Sequence, residues 1–196
     1  MITHLTYSRY LSQNILKIST PLQKFIYIIF ISLFGSFLLA VSSKINFVLP
    51  FTFVPFTMQT FVVLLLSMMF GREVIYILIS YVFEGIVGLP VFAKGGGVLY
   101  ILGPTGGYIV GFLISGYICG LLAEAGFTKS FLKTISVMIL GILIIYFCGA
   151  LWLLRFVNFS IKQALKIGVL PFIIGDLIKI IFVSFVLPLS YKRINN

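Results

Sequence analysis

The sequence predicts an all-α integral membrane protein, a bundle of six transmembrane helices. The chain has 196 residues, of which 61% are hydrophobic and only 9% are charged, whereas a soluble domain is rarely more than about half apolar. The apolar residues form long unbroken runs, and a run of roughly 20 such residues crosses the ~30 Å hydrocarbon layer as a helix. These runs argue against an outer-membrane barrel, whose strands alternate apolar and polar residues.

The apolar runs divide the chain into three parts. Residues 1–24 carry basic but no acidic side chains, and we expect a cytoplasmic segment that lies on the lipid surface. We expect residues 25–190 to form a six-helix transmembrane domain and residues 191–196 to form a cytoplasmic tail. Pro50 and Pro55 disfavour a continuous helix through the first connector. The predicted spans are Phe25–Ser43, Thr57–Gly71, Glu73–Gly88, Thr105–Ala123, Thr134–Leu154 and Val169–Leu189.

The charge pattern indicates an orientation rather than a nucleic-acid partner. Lys and Arg number 14 against 4 acidic residues, but the basic residues are spread through short connectors without a nucleic-acid-binding module. With both termini on the cytoplasmic side of a bacterial inner membrane, more of them lie inside than outside, as the positive-inside rule requires. The outer connectors still hold Lys44, Lys94, Arg155, Lys162 and Lys166. These outer cations either serve a ligand or reach the lipid headgroups by snorkelling.

A glycine-rich segment joins the third and fourth predicted spans, from Gly88 to Gly111. It lacks the Lys-Ser or Lys-Thr ending of a phosphate-binding loop, so nucleotide binding is not expected. Because glycine permits close backbone approach, the segment is interpreted either as an ordered lid over a small solute or as a flexible turn. Thr105 is expected to cap the following helix.

Charged residues inside apolar helices are costly and need a partner or a ligand. Asp176 and Lys179 lie three residues apart, so they share a helix face and can contact one ligand or each other. Glu84 is either a brace paired with Lys94 or another outer lysine, or a ligand contact. Tyr81, one turn earlier, is either a pocket wall or a member of an interfacial aromatic belt.

Small residues recur every fourth position of the first span, at Ser32, Ser36 and Ala40. Such a stripe allows another helix to approach closely, and that helix belongs either to a partner subunit or to the same chain. Cys119 and Cys148 stand singly in apolar runs without a neighbouring histidine, so we predict packing roles for both. No catalytic residue, metal site or cofactor is predicted.

Four segments carry a resemblance to a known family. These are VPFTMQTFVVLL at 54–65, GLPVFAKGGG at 88–97, LGPTGGYIVGF at 102–112 and PFIIGDLIK at 171–179. With them, the chain resembles the BioY family, the biotin-specific substrate-binding S components of energy-coupling factor (ECF) transporters, over about residues 25–190. The resemblance implies a six-helix bundle that captures biotin near the outer surface and is not an enzyme.

The resemblance also implies roles for particular residues. Asp176 and Lys179 match the family's binding residues, and their charges suit the N–H donors and carbonyl acceptor of the biotin ureido ring. Lys94 is the candidate for the biotin carboxylate. The small stripe of the first helix would face a coupling T subunit, linked to ATPase subunits, although the chain could act alone or as a homo-oligomer. The alternatives are a secondary carrier for another small carboxylate or vitamin, and a small intramembrane enzyme or assembly factor.

Overall fold

The computed structural model describes residues 6–195 and is a helical bundle, which confirms the predicted fold class. Two short strands, β1 (Asn46–Phe47) and β2 (Phe56–Thr57), pair antiparallel, with Asn46 opposite Thr57. The α-helices are α1 Tyr7–Tyr10, α2 Pro21–Lys44, α3 Gln59–Phe70, α4 Val74–Ile86, α5 Val98–Leu102, α6 Gly106–Leu122, α7 Phe131–Leu153, α8 Ile161–Gly168 and α9 Ile173–Asn195.

Long-range hydrogen bonds show how the helices alternate in direction. Lys44 at the end of α2 donates to the carbonyl of Phe92 at 2.6 Å. Thr60 in the first turn of α3 donates to Asp176 in the first turn of α9 at 2.9 Å. At the opposite end of the bundle, the Tyr191 hydroxyl donates to the Met68 carbonyl at 2.7 Å. Helices α3 and α9 therefore start at one end, which we call the cavity end.

Five stretches of the described chain are long and apolar enough to cross a membrane: Pro21–Lys44, Gln59–Ile86, Gly106–Phe127, Phe131–Phe156 and Ile161–Tyr191. The second is a hairpin, because the Gln59 side chain donates to the Tyr81 hydroxyl at 2.5 Å, whereas a straight helix would separate these residues by about 33 Å. The hairpin turns at Gly71, which has a φ of +62°. At 12 and 13 residues, α3 and α4 are each only about 18–20 Å long, too short to cross the hydrocarbon layer alone. By length, the described chain therefore has five membrane-crossing stretches and not the six separate spans that were predicted.

Helix α2 begins four residues before its predicted start, at Pro21, because a capping box precedes it. The Thr20 hydroxyl accepts from the Gln23 amide at 3.2 Å, and the Gln23 side chain accepts from the Thr20 amide at 3.1 Å. Proline suits the first helical position because it has no N–H to leave unsatisfied. The helix leaves Phe30 and Phe34 exposed and stacked on each other, as expected of a face in contact with lipid.

Residues 6–10 of the amino-terminal segment pack against the bundle, whereas most of residues 11–24 are exposed, and their place on the lipid surface stays a prediction. Thr6 and Ser8 are each only 1% exposed. The Ser8 hydroxyl bonds to the Tyr27 hydroxyl at 2.9 Å and donates to Glu73, so it joins α2 to the α3–α4 turn. Arg9 forms an ion pair with the buried Glu124 at 3.3 Å. Residues 1–5 of this segment, and Asn196 of the predicted tail, lie outside the described residues, while α9 itself continues to Asn195.

Glycines let α6 and α7 pack closely. A Cβ atom placed on Gly111 of α6 would lie 2.9 Å from the Cα atom of Ile145 on α7, a separation too short for two carbon atoms. Cys119 is buried in the same core, which agrees with a packing role. The tight α6–α7 pair forms one wall of the cavity described next.

Candidate functional site

A cavity that is partly open to the surroundings lies at the cavity end, with about 530 Å³ of empty space. Its walls are mostly apolar and aromatic, with a few polar groups. Among the lining residues, Asp176 alone carries a charge. The full lining is Val54, Pro55, Phe56, Thr57, Gln59, Thr60, Phe92, Tyr100, Thr105, Tyr108, Ile109, Phe112, Tyr146, Phe172 and Asp176.

Asp176 is 3% exposed and is held by three donors. Its Oδ1 atom accepts from the Thr60 hydroxyl at 2.9 Å and from the Lys179 ammonium at 3.0 Å. Its Oδ2 atom accepts from the Tyr146 hydroxyl at 2.7 Å. A carboxylate oxygen can accept about two hydrogen bonds, so Oδ1 is filled and Oδ2 keeps one acceptor position for a ligand donor.

Lys179 does not line the cavity; it supports Asp176 from behind. Besides the carboxylate, its ammonium donates to the Thr57 carbonyl at 3.0 Å and lies 4.2 Å from the centre of the Phe56 ring. The two charged residues therefore contact each other, one of the two arrangements their spacing allowed. In this arrangement Lys179 neutralises and orients the carboxylate, while Asp176 faces the cavity.

The Phe56 ring separates Lys179 from the cavity, and a glycine on α9 makes room for it. Phe56 stacks on Phe172 with ring centres 5.9 Å apart. A Cβ atom on Gly175 would overlap the Phe56 ring, so any larger residue at position 175 would displace that ring. Gly175 directly precedes Asp176, and the same turn of α9 thus positions both the aromatic wall and the carboxylate.

The glycine-rich segment forms a cover over one side of the cavity, where Phe92 and Tyr100 are part of the lining. Phe92 is 1% exposed and stacks on Tyr100 of α5 at 4.9 Å. Burial raises the pKa of the Tyr100 hydroxyl above its usual value, so the hydroxyl remains a neutral hydrogen-bonding group. Gly97 donates its amide to the Gly85 carbonyl at 2.6 Å, which joins the cover to α4. Thr105 precedes α6 as predicted, but its side chain lines the cavity instead of capping the helix.

Tyr81 lies behind the cavity wall rather than on its surface. Its hydroxyl accepts from Gln59 at 2.5 Å and donates to the Val91 carbonyl at 3.0 Å. Its ring packs edge-on against Phe92 at 5.3 Å. Tyr81 therefore connects α3 and α4 to the cover, a positioning role.

The other predicted site residues lie away from the lining. Lys94 is exposed at the tip of the turn between Phe92 and Gly95. Lys44, whose ammonium donates to the Phe92 carbonyl, is a second cation beside the cover. Glu84 forms no ion pair within the described residues; it accepts a hydrogen bond from Ser36 across the α2–α4 contact.

The small stripe of α2 contacts α4 of the same chain, while the docking of a partner subunit on it stays a prediction. Ser32 is 6% exposed and Ser36 is fully buried, while Ala40 is half-buried. Between them, a Cβ atom on Gly35 would meet the Ile77 side chain of α4 at 2.6 Å. In this structure the chain's own α4 covers the stripe, and Ser36 uses its hydroxyl to bond Glu84.

Reasoning from single residues missed the neutral groups that hold Asp176. Thr60 lies 116 positions from Asp176 in sequence and Tyr146 lies 30 positions away. Thr60 and Gln59 both lie in the first of the four segments that carry the family resemblance. Their position in that segment was the only sequence feature that pointed to either residue. Tyr146 stands in an unbroken apolar run where an aromatic residue is ordinary.

The bundle, the apolar cavity and its single buried carboxylate define a membrane protein that binds a small solute between its helices. The chain belongs to the BioY family, whose sequence model matches residues 15–196. This confirms the resemblance inferred from the four segments.

Individual relatives agree with the family assignment. The chain is 40% identical over 129 residues to a probable biotin transporter BioY of Pyrococcus horikoshii, covering 64% of this chain and 74% of that protein. It is 37% identical to the biotin transporter BioY of Thermotoga maritima, covering 74% of this chain and 85% of that protein. A crystal structure of the S-component for biotin from an ECF-type ABC transporter superposes with a TM-score of 0.75 at 27% identity, covering 89% of this chain and 95% of that one.

Proposed function

We propose that this chain takes up biotin, binding it in the cavity beside Asp176 without chemical change. The observation that carries the proposal is the open acceptor position on Asp176 Oδ2 in an otherwise aromatic and apolar pocket. A ureido ring offers N–H donors for such a carboxylate. The bicyclic ring and the alkyl chain would contact the walls formed by Phe92, Tyr100 and Phe172.

In the proposed binding mode Asp176 contacts the ligand and Lys179 acts through Asp176. The lysine neutralises a carboxylate that would otherwise be buried without a countercharge, a costly state. The biotin carboxylate would point away from Asp176, towards Lys94 or Lys44 beside the cover. A cation there would strengthen a hydrogen bond to the ligand's carboxylate.

The decisive experiment compares biotin with a derivative methylated on the ureido nitrogen, using equilibrium binding to the purified protein. In the wild-type chain, methylation is expected to weaken binding because the donor for Asp176 is lost. In the Asp176→Asn variant the same methylation should lower the affinity little further, because the substitution and the methylation both remove the same hydrogen bond. Full additivity of the two losses would refute a contact between Asp176 and the ureido N–H group.

For the setting of uptake, we propose a bacterial inner membrane with both termini in the cytoplasm and the cavity facing outwards. The greater number of basic residues at the end opposite the cavity supports this orientation. We further propose that the chain works as an S component with a T subunit and ATPase subunits. Co-purification of an ATPase with the tagged chain from native membranes tests this partnership, and undiminished biotin uptake in cells lacking such ATPases would contradict it.

A further inference from the structure

The last turn of α2 holds the backbone of the cover beside the cavity. The buried Ser43 hydroxyl donates to the Val91 carbonyl at 2.7 Å, and the Lys44 ammonium donates to the next carbonyl, that of Phe92, at 2.6 Å. Each donor lies 48 positions from its acceptor in the sequence. We call these two contacts the α2 anchors. Neither donor lines the cavity, whereas Phe92 does, so the α2 anchors affect the cavity through Phe92.

Ser43 differs in this respect from the serine beside it. Its single hydroxyl hydrogen has two acceptors at 2.7 Å, the Ala40 carbonyl of its own helix and the Val91 carbonyl of the cover. Among the described residues, the buried Ser42 donates only to the Leu39 carbonyl of its own helix, at 2.7 Å. A bond to the preceding turn is the ordinary one for a helical serine. The contact with Val91 is therefore an addition specific to Ser43.

Helix α4 contributes a second donor to the same carbonyl. The Tyr81 hydroxyl donates to the Val91 oxygen at 3.0 Å. A carbonyl oxygen has two lone pairs, so Ser43 and Tyr81 together use both of them. Helices α2 and α4 thus meet at one carbonyl, directly before the buried Phe92.

The cover depends on such outside contacts because glycines flank Phe92. Gly88 and Gly97 have φ angles of +98° and +95°, in a region that glycine adopts easily. Glycine loses more conformational freedom on folding than any other residue, so the segment does not fix the ring by itself. On α4, a Cβ atom at Gly85 would overlap the Phe92 ring. The space at Gly85 admits the ring, and the α2 anchors hold its backbone there.

We propose that Ser43 and Lys44 are positioning residues for biotin binding, which hold Phe92 at the cavity without contacting the ligand. The proposal rests on the proposed function, in which biotin contacts Phe92. Loss of either anchor would lower the free energy of local opening of the cover. The ring would then leave the wall more often, and the ligand would dissociate faster. The end of α2 thereby contributes to the affinity for a ligand that it does not touch.

Two neighbouring serines provide a matched test. Ser43→Ala removes the hydroxyl without adding volume, and Ser42→Ala is the control. Radiolabelled biotin should dissociate from the purified full chain roughly two- to tenfold faster in Ser43→Ala than in wild type, the range expected for one neutral hydrogen bond. In Ser42→Ala the rate should stay within about twofold of wild type, because only a bond inside α2 is lost. Equal rates in wild type and Ser43→Ala, or equal acceleration in both variants, would overturn the proposal.

Trypsin cleavage tests the α2 anchors without ligand. Lys94 is exposed in the cover, and cleavage after it follows local opening of the surrounding segment. Ser43→Ala and Lys44→Met should raise the cleavage rate after Lys94, whereas Ser42→Ala should not. Unchanged cleavage in the first two variants would overturn the proposal. If the wild-type chain did not bind biotin, the proposed function would fail, while these rates would still support or contradict the anchors.

A neutral ligand separates positioning by Lys44 from a contact with the biotin carboxylate. Lys44→Met should accelerate the dissociation of biotin and of biotinamide by the same factor, because Phe92 contacts the parts that both ligands share. A larger effect on biotin would assign Lys44 to the carboxylate and overturn its positioning role.

Discussion

Replacing Asp176 by asparagine changes the charge and one acceptor of the cavity while keeping the side-chain volume. The amide retains a single acceptor oxygen, and its nitrogen is a donor only. If the oxygen faces Thr60 and Lys179, the amide nitrogen meets the Tyr146 hydroxyl and the ligand's N–H group. If the side chain is flipped, the nitrogen meets Lys179 and Thr60 instead. Donor therefore opposes donor in either orientation.

The size of the effect follows from the lost charged acceptor. A hydrogen bond to a charged group contributes roughly 1.5–3 kcal/mol, which corresponds to about 10- to 150-fold in affinity. We expect Asp176→Asn to weaken biotin binding within this range. Lys179→Met should weaken it comparably, because the remaining carboxylate loses its countercharge and becomes costly to keep ionised.

The assay is equilibrium binding of radiolabelled biotin to detergent-purified variants, with size-exclusion chromatography to verify folding. Glu73→Gln serves as a control, since Glu73 is a half-buried carboxylate at the opposite end of the bundle that accepts a hydrogen bond from Ser8. Its biotin affinity should remain within about twofold of wild type, because an exposed or distant charge has little effect on the cavity.

The double variant Asp176→Leu with Lys179→Met separates binding from structure. An apolar pair of similar volume often replaces a buried ion pair without loss of stability, so the double variant should fold but still bind biotin weakly. Wild-type affinity in a well-folded double variant would refute the reasoning, because the pair would then be only structural.

Three further predictions concern other parts of the chain. Lys94→Met should weaken binding of biotin more than that of biotinamide, since only biotin carries the carboxylate; equal losses would remove Lys94 from that role. Ser36→Phe should lower both folded yield and biotin binding, because Ser36 is fully buried against α4; retained binding with impaired coupled uptake would instead indicate partner docking on this stripe. Glu124→Gln should lower the melting temperature in detergent, because Glu124 is 4% exposed and accepts from Arg72 at 2.7 Å. We expect the decrease in the free energy of unfolding to be modest because the Arg72 side chain is 52% exposed, and an unchanged melting temperature would contradict the prediction.

Long apolar runs predicted the helices well because burial in lipid leaves the backbone few alternatives to internal hydrogen bonding. The ends of the helices were harder to predict. The capping box at Thr20 extends α2 beyond its apolar core, a local feature that hydropathy does not register. The turn at Gly71, by contrast, lies where the second and third predicted spans meet, and α3 and α4 agree with those spans within two residues.

The stripe on α2 shows a different limit of sequence reasoning. Small residues at four-residue spacing indicate that a helix approaches closely, but the pattern is the same for a partner helix and for a neighbour in the chain. Here the Ile77 side chain of α4 packs against Gly35, and the Ser36 hydroxyl donates a hydrogen bond to Glu84. Which helix fills the stripe depends on the packing of the whole bundle.

Asp176 and Glu84 illustrate why an intramembrane carboxylate identifies a site only together with its neighbours. Both are acidic residues in apolar helices, and the energetic cost of burying a carboxylate does not distinguish a binding residue from a structural one. Asp176 faces a cavity, has a lysine countercharge and three donors, and keeps one acceptor position open. Glu84 lies at a helix contact and accepts from Ser36. We therefore expect Glu84→Gln to disturb the α2–α4 contact and the melting temperature, whereas Asp176→Asn should mainly disturb biotin binding. A larger loss of biotin affinity in Glu84→Gln than in Asp176→Asn would reverse this assignment.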